Sequence, residues 1–113
     1  MITVYHNPRC RKSRGALAFL EKENQDFEVI KYLDEPLSKV QLESLLEKLK
    51  LEPIDLVRTQ EQIWKTGYRD KNLSKSQLVD IMLEHPKLME RPIVVNGDKA
   101  VLGRPAEKIL EIL

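Results

Sequence analysis

The sequence predicts an α/β protein built as βαβ, then helices, then ββα, around a mixed four-stranded sheet. Three observations carry that expectation. Short apolar runs of strand character sit near both ends of the chain, Ile2-Thr3-Val4-Tyr5 and Phe27-Glu28-Val29-Ile30 early, Ile93-Val94-Val95 and Ala100-Val101-Leu102 late. The stretch between them carries two capping-box signals, Ser38 with Gln41 and Ser74 with Gln77. Finally, the dipeptide Asn96-Gly97 separates the last two apolar runs, as a hairpin turn would.

Taken in order, Ile2 to Tyr5 reads as a strand ended by the turn-rich His6-Asn7-Pro8-Arg9. A helix is expected from near Cys10, because Ala16, Leu17 and Leu20 recur at helical spacing, which sets Cys10 at a helix N-terminus. Phe27 to Ile30 follows as a strand parallel to the first, since the helix supplies the crossover that parallel pairing needs. Beyond Asp34-Glu35-Pro36, Ser38 opens a helix whose Leu42, Leu45, Leu46 and Leu49 trace one face. Pro53 can start a short helix through about Arg58, and Glu61 to Tyr68 fits helix or loop until Gly67 breaks it. Ser74 begins a further helix, with Leu78, Ile81 and Met82 inward, ending near His85-Pro86. After Arg91-Pro92 comes the hairpin, then Gly103-Arg104, with Pro105 as the first residue of a closing helix carrying Ile109, Leu110 and Leu113. That order is the order of a thioredoxin-like fold with a helical insertion at about residues 37–90, within one domain spanning 1–113.

Composition narrows the function. Nineteen Lys and Arg against eighteen Asp and Glu leave a net charge of +1, and the lysines alternate with glutamates along the expected helices. A nucleic-acid partner is not expected from so even a balance. No apolar run approaches the roughly 18 residues of a membrane span, and no secretory signal precedes Ile2, so a soluble cytoplasmic protein is expected, with no membrane partner. A single cysteine forms no internal disulfide; any disulfide chemistry must recruit a thiol from another molecule.

Cys10 lies in the run His6-Asn7-Pro8-Arg9-Cys10-Arg11-Lys12-Ser13-Arg14, where four of the eight flanking residues are Arg or Lys. A helix start and nearby cations both stabilise thiolate, the nucleophilic form of cysteine. A lone cysteine is otherwise a small buried hydrophobe, but a polar, cationic turn is not a core environment. Ser13 completes Cys-x-x-Ser, where a dithiol enzyme would hold its resolving cysteine; its hydroxyl either donates to the thiolate or is an ordinary first-turn serine. His6 either tunes the thiolate or bonds the loop backbone. Two distant histidines and one cysteine make no metal-ligand spacing, so no metal is expected. Arg91-Pro92 and Arg104-Pro105 bracket the hairpin, whose ends lie close together. If Pro92 is cis, two guanidiniums face Cys10, and their planar donors suit a tetrahedral oxyanion. Taken singly, an arginine reads as a solvated surface residue; two at these junctions read as site residues. Trp64 and Tyr68 read as packing residues.

These residues together, His6-Asn7-Pro8-x-Cys10-x-x-Ser13-Arg14, Arg91-Pro92-Ile93-Val94-Val95 and Gly103-Arg104-Pro105, resemble the glutaredoxin-linked arsenate reductases. Tyr32-Leu33, Leu56-Val57-Arg58 and Leu83-x-His85-Pro86 extend the likeness over the whole chain. The resemblance implies Cys10 as nucleophile toward arsenic, His6 as its tuning histidine, and Arg58, Arg91 and Arg104 as the oxyanion-binding arginines, with Ser13, Arg14 and Pro92 supporting. It further implies arsenate or a similar oxyanion as substrate, glutathione as co-substrate, glutaredoxin as protein partner, no bound cofactor, and a monomer. Arg9, Arg11 and Lys12 stand where some members carry small or neutral residues, so the field around Cys10 is expected to be more positive here. Two other activities are compatible with the same scaffold. One is a glutathione-dependent thiol/disulfide reductase, and the other an Spx-type RNA-polymerase-binding regulator, against which Ser13 in place of a second cysteine and the Arg104-Pro105 pair both count.

Overall fold

Alternation along Ile2–Tyr5 (β1) turns Ile2 and Val4 into the core, and the strand becomes the parallel partner of Phe27–Ile30 (β2) and the antiparallel partner of Ile93–Asn96 (β3). In the computed structural model, which describes residues 1–113, the chain divides into two compact units: Met1–Glu35 with Arg91–Leu113, and Pro36–Glu90.

The first unit carries the sheet, in the order β2-β1-β3-β4, with Lys99–Leu102 as β4. Helix Arg11–Lys22 (α1) connects β1 to β2 and buries Ser13, Ala16 and Leu20. One cluster, Ile2, Val4, Ala16, Leu20, Val94, Ile109 and Ile112, joins the sheet, α1 and the closing segment. Each such fully buried aliphatic side chain contributes about 1.5–3 kcal/mol, so the cluster outweighs any surface contact in this unit. The mixed four-stranded sheet with its βαβ and ββ halves is a thioredoxin-like fold.

Helices dominate the second unit: Lys39–Leu49 (α2), Pro53–Leu56 (α3), Gln62–Gly67 (α4) and Lys75–Glu84 (α5), followed by a 3₁₀ turn over Pro86–Leu88. Both expected capping boxes form. Ser38 Oγ accepts from the Gln41 N–H while the Gln41 side chain accepts from the Ser38 N–H, and Ser74 and Gln77 repeat the pattern. α5 packs against α2 and α3, burying Leu78, Val79, Ile81 and Met82. No helix in the chain is long and apolar enough to cross a membrane.

The ambiguous stretch after Glu61 is helical and stops at Gly67, as expected. Local details differ from the sequence expectation in three places. α3 ends at Leu56 rather than near Arg58, because Val57 turns extended and bridges Met89. The hairpin turn is Gly97-Asp98, with Asn96 paired to Lys99 as the last residue of β3. Gly97 takes the positive φ of +65°, and the Asn96 side chain is committed instead to the Ile112 carbonyl at 2.6 Å. The closing segment is a 3₁₀ helix over Ala106–Ile112, and Pro105 stays outside it with an extended ψ of 165°. Three residues per turn place Ile109 and Ile112 on one buried face, leaving Leu110 and Leu113 largely exposed.

Candidate active site

Sheet register brings three chain segments to one end of the first unit. β1 ends at Tyr5, which is opposite Ile93 at the start of β3, and Ile93 is in turn opposite Leu102 at the end of β4. The residues just outside these strands, His6–Cys10, Arg91-Pro92 and Gly103-Arg104, are therefore neighbours, though 11 to 98 positions separate them along the chain. Gly103 is needed there: its N–H donates to the Pro92 carbonyl at 3.0 Å, and a Cβ would press against Pro92 Cγ at 3.3 Å and Ile109 at 3.4 Å. Both Arg91-Pro92 and Arg104-Pro105 bonds are cis. Arg91 and Arg104 are half-buried, and Arg104 Nη1 reaches the Arg91 carbonyl at 3.4 Å.

The loop before α1 is organised by Asn7 and Ser13, both buried. Asn7 Oδ1 accepts from the Arg9 N–H at 3.0 Å and the Asn7 carbonyl accepts from the Cys10 N–H at 3.0 Å. Ser13 Oγ accepts from the Asn7 N–H at 3.0 Å and lies 2.7 Å from His6 Nδ1. Arg14 fastens the outside of the loop through Nη1 to the Pro8 carbonyl at 2.8 Å.

Cys10 is the N-cap of α1, with extended φ −96° and ψ 121°. Burial pushes its thiol up. Backbone N–H groups of Ser13 and Lys12, a hydrogen bond from the Arg91 guanidinium and that group's positive charge push it down, and together they hold it below the ordinary thiol value. Arg91 is thereby the arginine that acts on the thiol. The Ser13 hydroxyl is engaged by His6 and Asn7, so what Ser13 offers the thiolate is its backbone N–H.

His6 is buried, and that burial, then the positive charges of Lys31 and Arg14, hold its pKa below the ordinary imidazole value, against a hydrogen bond to Ser13 that raises it. A neutral ring results at physiological pH. It acts on the loop through Ser13, and no direct bond to the sulfur is present.

Arg58 belongs to the second unit. Its N–H donates to the Leu88 carbonyl, and Glu90 lies 3.6 Å from Nη1. Nε and Nη1 are buried and make no hydrogen bond to the protein.

Asn7 and Gly15 went without assigned roles in the sequence reading. An Asn before Pro in a turn was a legible signal for Asn7 as loop organiser, since Asn side chains bond backbone N–H groups two residues on. Gly15 is a glycine inside a helix, with nothing within 4 Å of where its Cβ would stand. It lines a depression of about 500 Å³ with Arg11, Lys12, Gly103, Arg104, Pro105 and Ala106.

Comparison with known proteins agrees with this geometry. The solved arsenate reductase from Vibrio cholerae superposes with a TM-score of 0.94 at 45% identity, covering 99% of this chain and 97% of that one. An arsenate reductase of Haemophilus influenzae is 41% identical over 114 residues, covering 99% of this chain and 98% of its own length. A similar relative from Escherichia coli K12, YfgD, is 42% identical over 99% of this chain and 96% of its own, and its name describes it as uncharacterized. The model of the ArsC family matches residues 5–112, a span running from the last residue of β1 to the end of the closing 3₁₀ segment, and this chain belongs to the ArsC family.

Proposed function

We propose that this protein reduces arsenate to arsenite, with Cys10 as nucleophile and glutathione and glutaredoxin as thiol donors. One observation carries the reading: the single cysteine caps the start of α1, where backbone N–H groups and the Arg91 guanidinium hold its thiol below the ordinary value. A guanidinium at the sulfur both lowers the thiol pKa and offers donors to an incoming oxyanion.

Arg91 and Arg104 hold the arsenate oxygens and offset charge as the bond to sulfur forms. Cys10 Sγ attacks arsenic, an S–As bond forms, and one oxygen leaves as water with a proton from solvent. Glutathione displaces a second oxygen as water, giving a mixed adduct on arsenic. The glutaredoxin thiolate then attacks the glutathione sulfur; a glutaredoxin–glutathione disulfide forms, the bond between the glutathione sulfur and arsenic breaks, and its electron pair falls to arsenic, reducing As(V) to As(III) while the Cys10–As bond stays. Water releases arsenite and restores Cys10. The chain has one cysteine, so both electrons come from the two borrowed thiols. No bound cofactor takes part. Arg58 enters as a third oxyanion ligand from its place in the family pattern, and its buried Nε, which makes no hydrogen bond within the protein, is suited to that role.

The test is a coupled assay with arsenate, glutathione, glutaredoxin and a reductant for glutaredoxin. Turnover that requires all of these, and is lost in Cys10→Ser, is the expected result. Absence of arsenate turnover alongside efficient reduction of a glutathione mixed disulfide would replace this reading with a glutathione-dependent disulfide reductase.

A further inference from the structure

The depression beside α1 differs from a cavity of similar size in the helical unit. That cavity, of about 510 Å³, carries both signs of charge, and its Glu52 is ion-paired with Lys75 at 2.8 Å. The depression of about 500 Å³ in the sheet-bearing unit is lined by Arg11, Lys12 and Arg104 and by no carboxylate. It begins at the residue after Cys10.

Gly15 makes the depression more than a chance hollow. A glycine inside a helix is destabilising relative to alanine, so it needs a reason. Backbone conformation supplies none, since Gly97 alone among the glycines has positive φ. Packing supplies none either, because a Cβ at Gly15 would meet nothing within 4 Å, unlike one at Gly103. What the missing side chain does is leave the depression open.

The chain has one cysteine, so a second thiol has to come from another molecule and approach the Cys10 sulfur. We infer that this depression seats that thiol co-substrate, and that Arg11, Lys12 and Arg104 select a small thiol bearing carboxylates; the inference rests on the reading of Cys10 as nucleophile. Glutathione, with two carboxylates, has the matching charge, and a neutral thiol does not. Arg104 then stands between the oxyanion and the co-substrate, and Gly15, Arg11 and Lys12 determine specificity for the second thiol.

Two measurements test this, the first without arsenate. Cys10 attacks one sulfur of a disulfide, the S–S bond breaks, a Cys10 mixed disulfide forms and the other half leaves as thiolate. Its rate is followed by mass spectrometry with oxidised glutathione and with neutral 2-hydroxyethyl disulfide; the ratio of the two cancels any change in Cys10 reactivity. Gly15→Gln, which fills the depression without changing charge, and Arg11→Glu are expected to lower the ratio about threefold to tenfold. Arg9→Glu makes the same charge change on an exposed residue outside the depression, and is expected to leave the ratio nearly unchanged. Equal ratios in all variants, or as large a drop in Arg9→Glu as in Arg11→Glu, would overturn the inference. In the second measurement, Gly15→Gln is expected to raise KM for glutathione about fivefold in the coupled assay, with KM for arsenate and maximal rate held. A rise in KM for glutaredoxin instead would overturn it. Were the wild type to turn over no arsenate while the disulfide ratio responds as expected, the arsenate reading would fail and the thiol seat would stand.

Discussion

Helix α1 and helices α2 and α5 are begun in opposite ways. α2 and α5 open on Ser38 and Ser74, whose hydroxyls take the N3 N–H while Gln41 and Gln77 reach back, satisfying two otherwise unpaired groups at each start. α1 opens on Cys10, which makes no side-chain cap bond, and its first turn has no acidic residue but instead carries Arg11, Lys12 and Arg14. Cations at a helix N-terminus oppose the macrodipole by about 0.3–1 kcal/mol each when exposed. The helical unit spends its N-cap positions on stability. The sheet-bearing unit leaves one N-terminus open and positive, which is the state that stabilises a thiolate and attracts an oxyanion.

The largest effect that breaks this comparison is on turnover. Cys10→Ser is expected to abolish arsenate reduction, by about a thousandfold or more, because the attacking atom is gone. Measured in parallel by urea denaturation at acidic pH, where the thiol is neutral, the same variant should be as stable as the wild type or more so, since serine caps better than a neutral thiol. Arg91→Ala comes next. Loss of the guanidinium at the sulfur should cost about a hundredfold to a thousandfold in kcat/KM for arsenate and raise the thiol pKa, read by iodoacetamide alkylation against pH. Arg104→Ala should follow it in kcat/KM with a smaller effect on alkylation. Unchanged kinetics in both would remove the oxyanion role.

Smaller effects separate the two kinds of cap. Ser38→Ala or Ser74→Ala should each destabilise by about 1 kcal/mol with kcat/KM unaltered, as read by thermal unfolding and the coupled assay. The smallest effect is the pH dependence of the Cys10 contribution. Its pKa in the folded state lies below the ordinary thiol value, so the unfolded chain binds the proton more tightly. The stabilisation is therefore complete above the unfolded value, about 8.5, and is lost as pH falls through the folded value. The stability of wild type relative to Cys10→Ser should rise with pH across that window; a flat difference would mean that Cys10 is not held as a thiolate.

Much of this was readable from local sequence. Ser38-x-x-Gln41 and Ser74-x-x-Gln77 are self-contained within one turn, and the helices start where they say. Ile2–Tyr5 and Phe27–Ile30 are strands over the expected residues. Cys10 between four cations pointed to a reactive thiol before any geometry was known. The misread details share one cause: each depends on a partner far along the chain. The α3 end at Leu56 follows from Val57 bridging Met89, the hairpin shift accompanies the bond from Asn96 to the Ile112 carbonyl, and the 3₁₀ close follows from Ile109 and Ile112 packing into the sheet core. The Ser13 hydroxyl is a similar case on a shorter scale, drawn to His6 by the fold of the loop.

By itself, the sequence determined the order of elements, the helix starts and the residue types at the thiol, because periodicity, capping and turn chemistry act over a few residues. Tertiary structure alone decided which arginine meets the sulfur. Antiparallel pairing of β3 with β1 carries Arg91 to the end of the strand that leads into Cys10, and the β3–β4 hairpin carries Arg104 to the Arg91 carbonyl. Register is set by which faces of the strands are buried, and that is a property of the assembled sheet and not of any one segment.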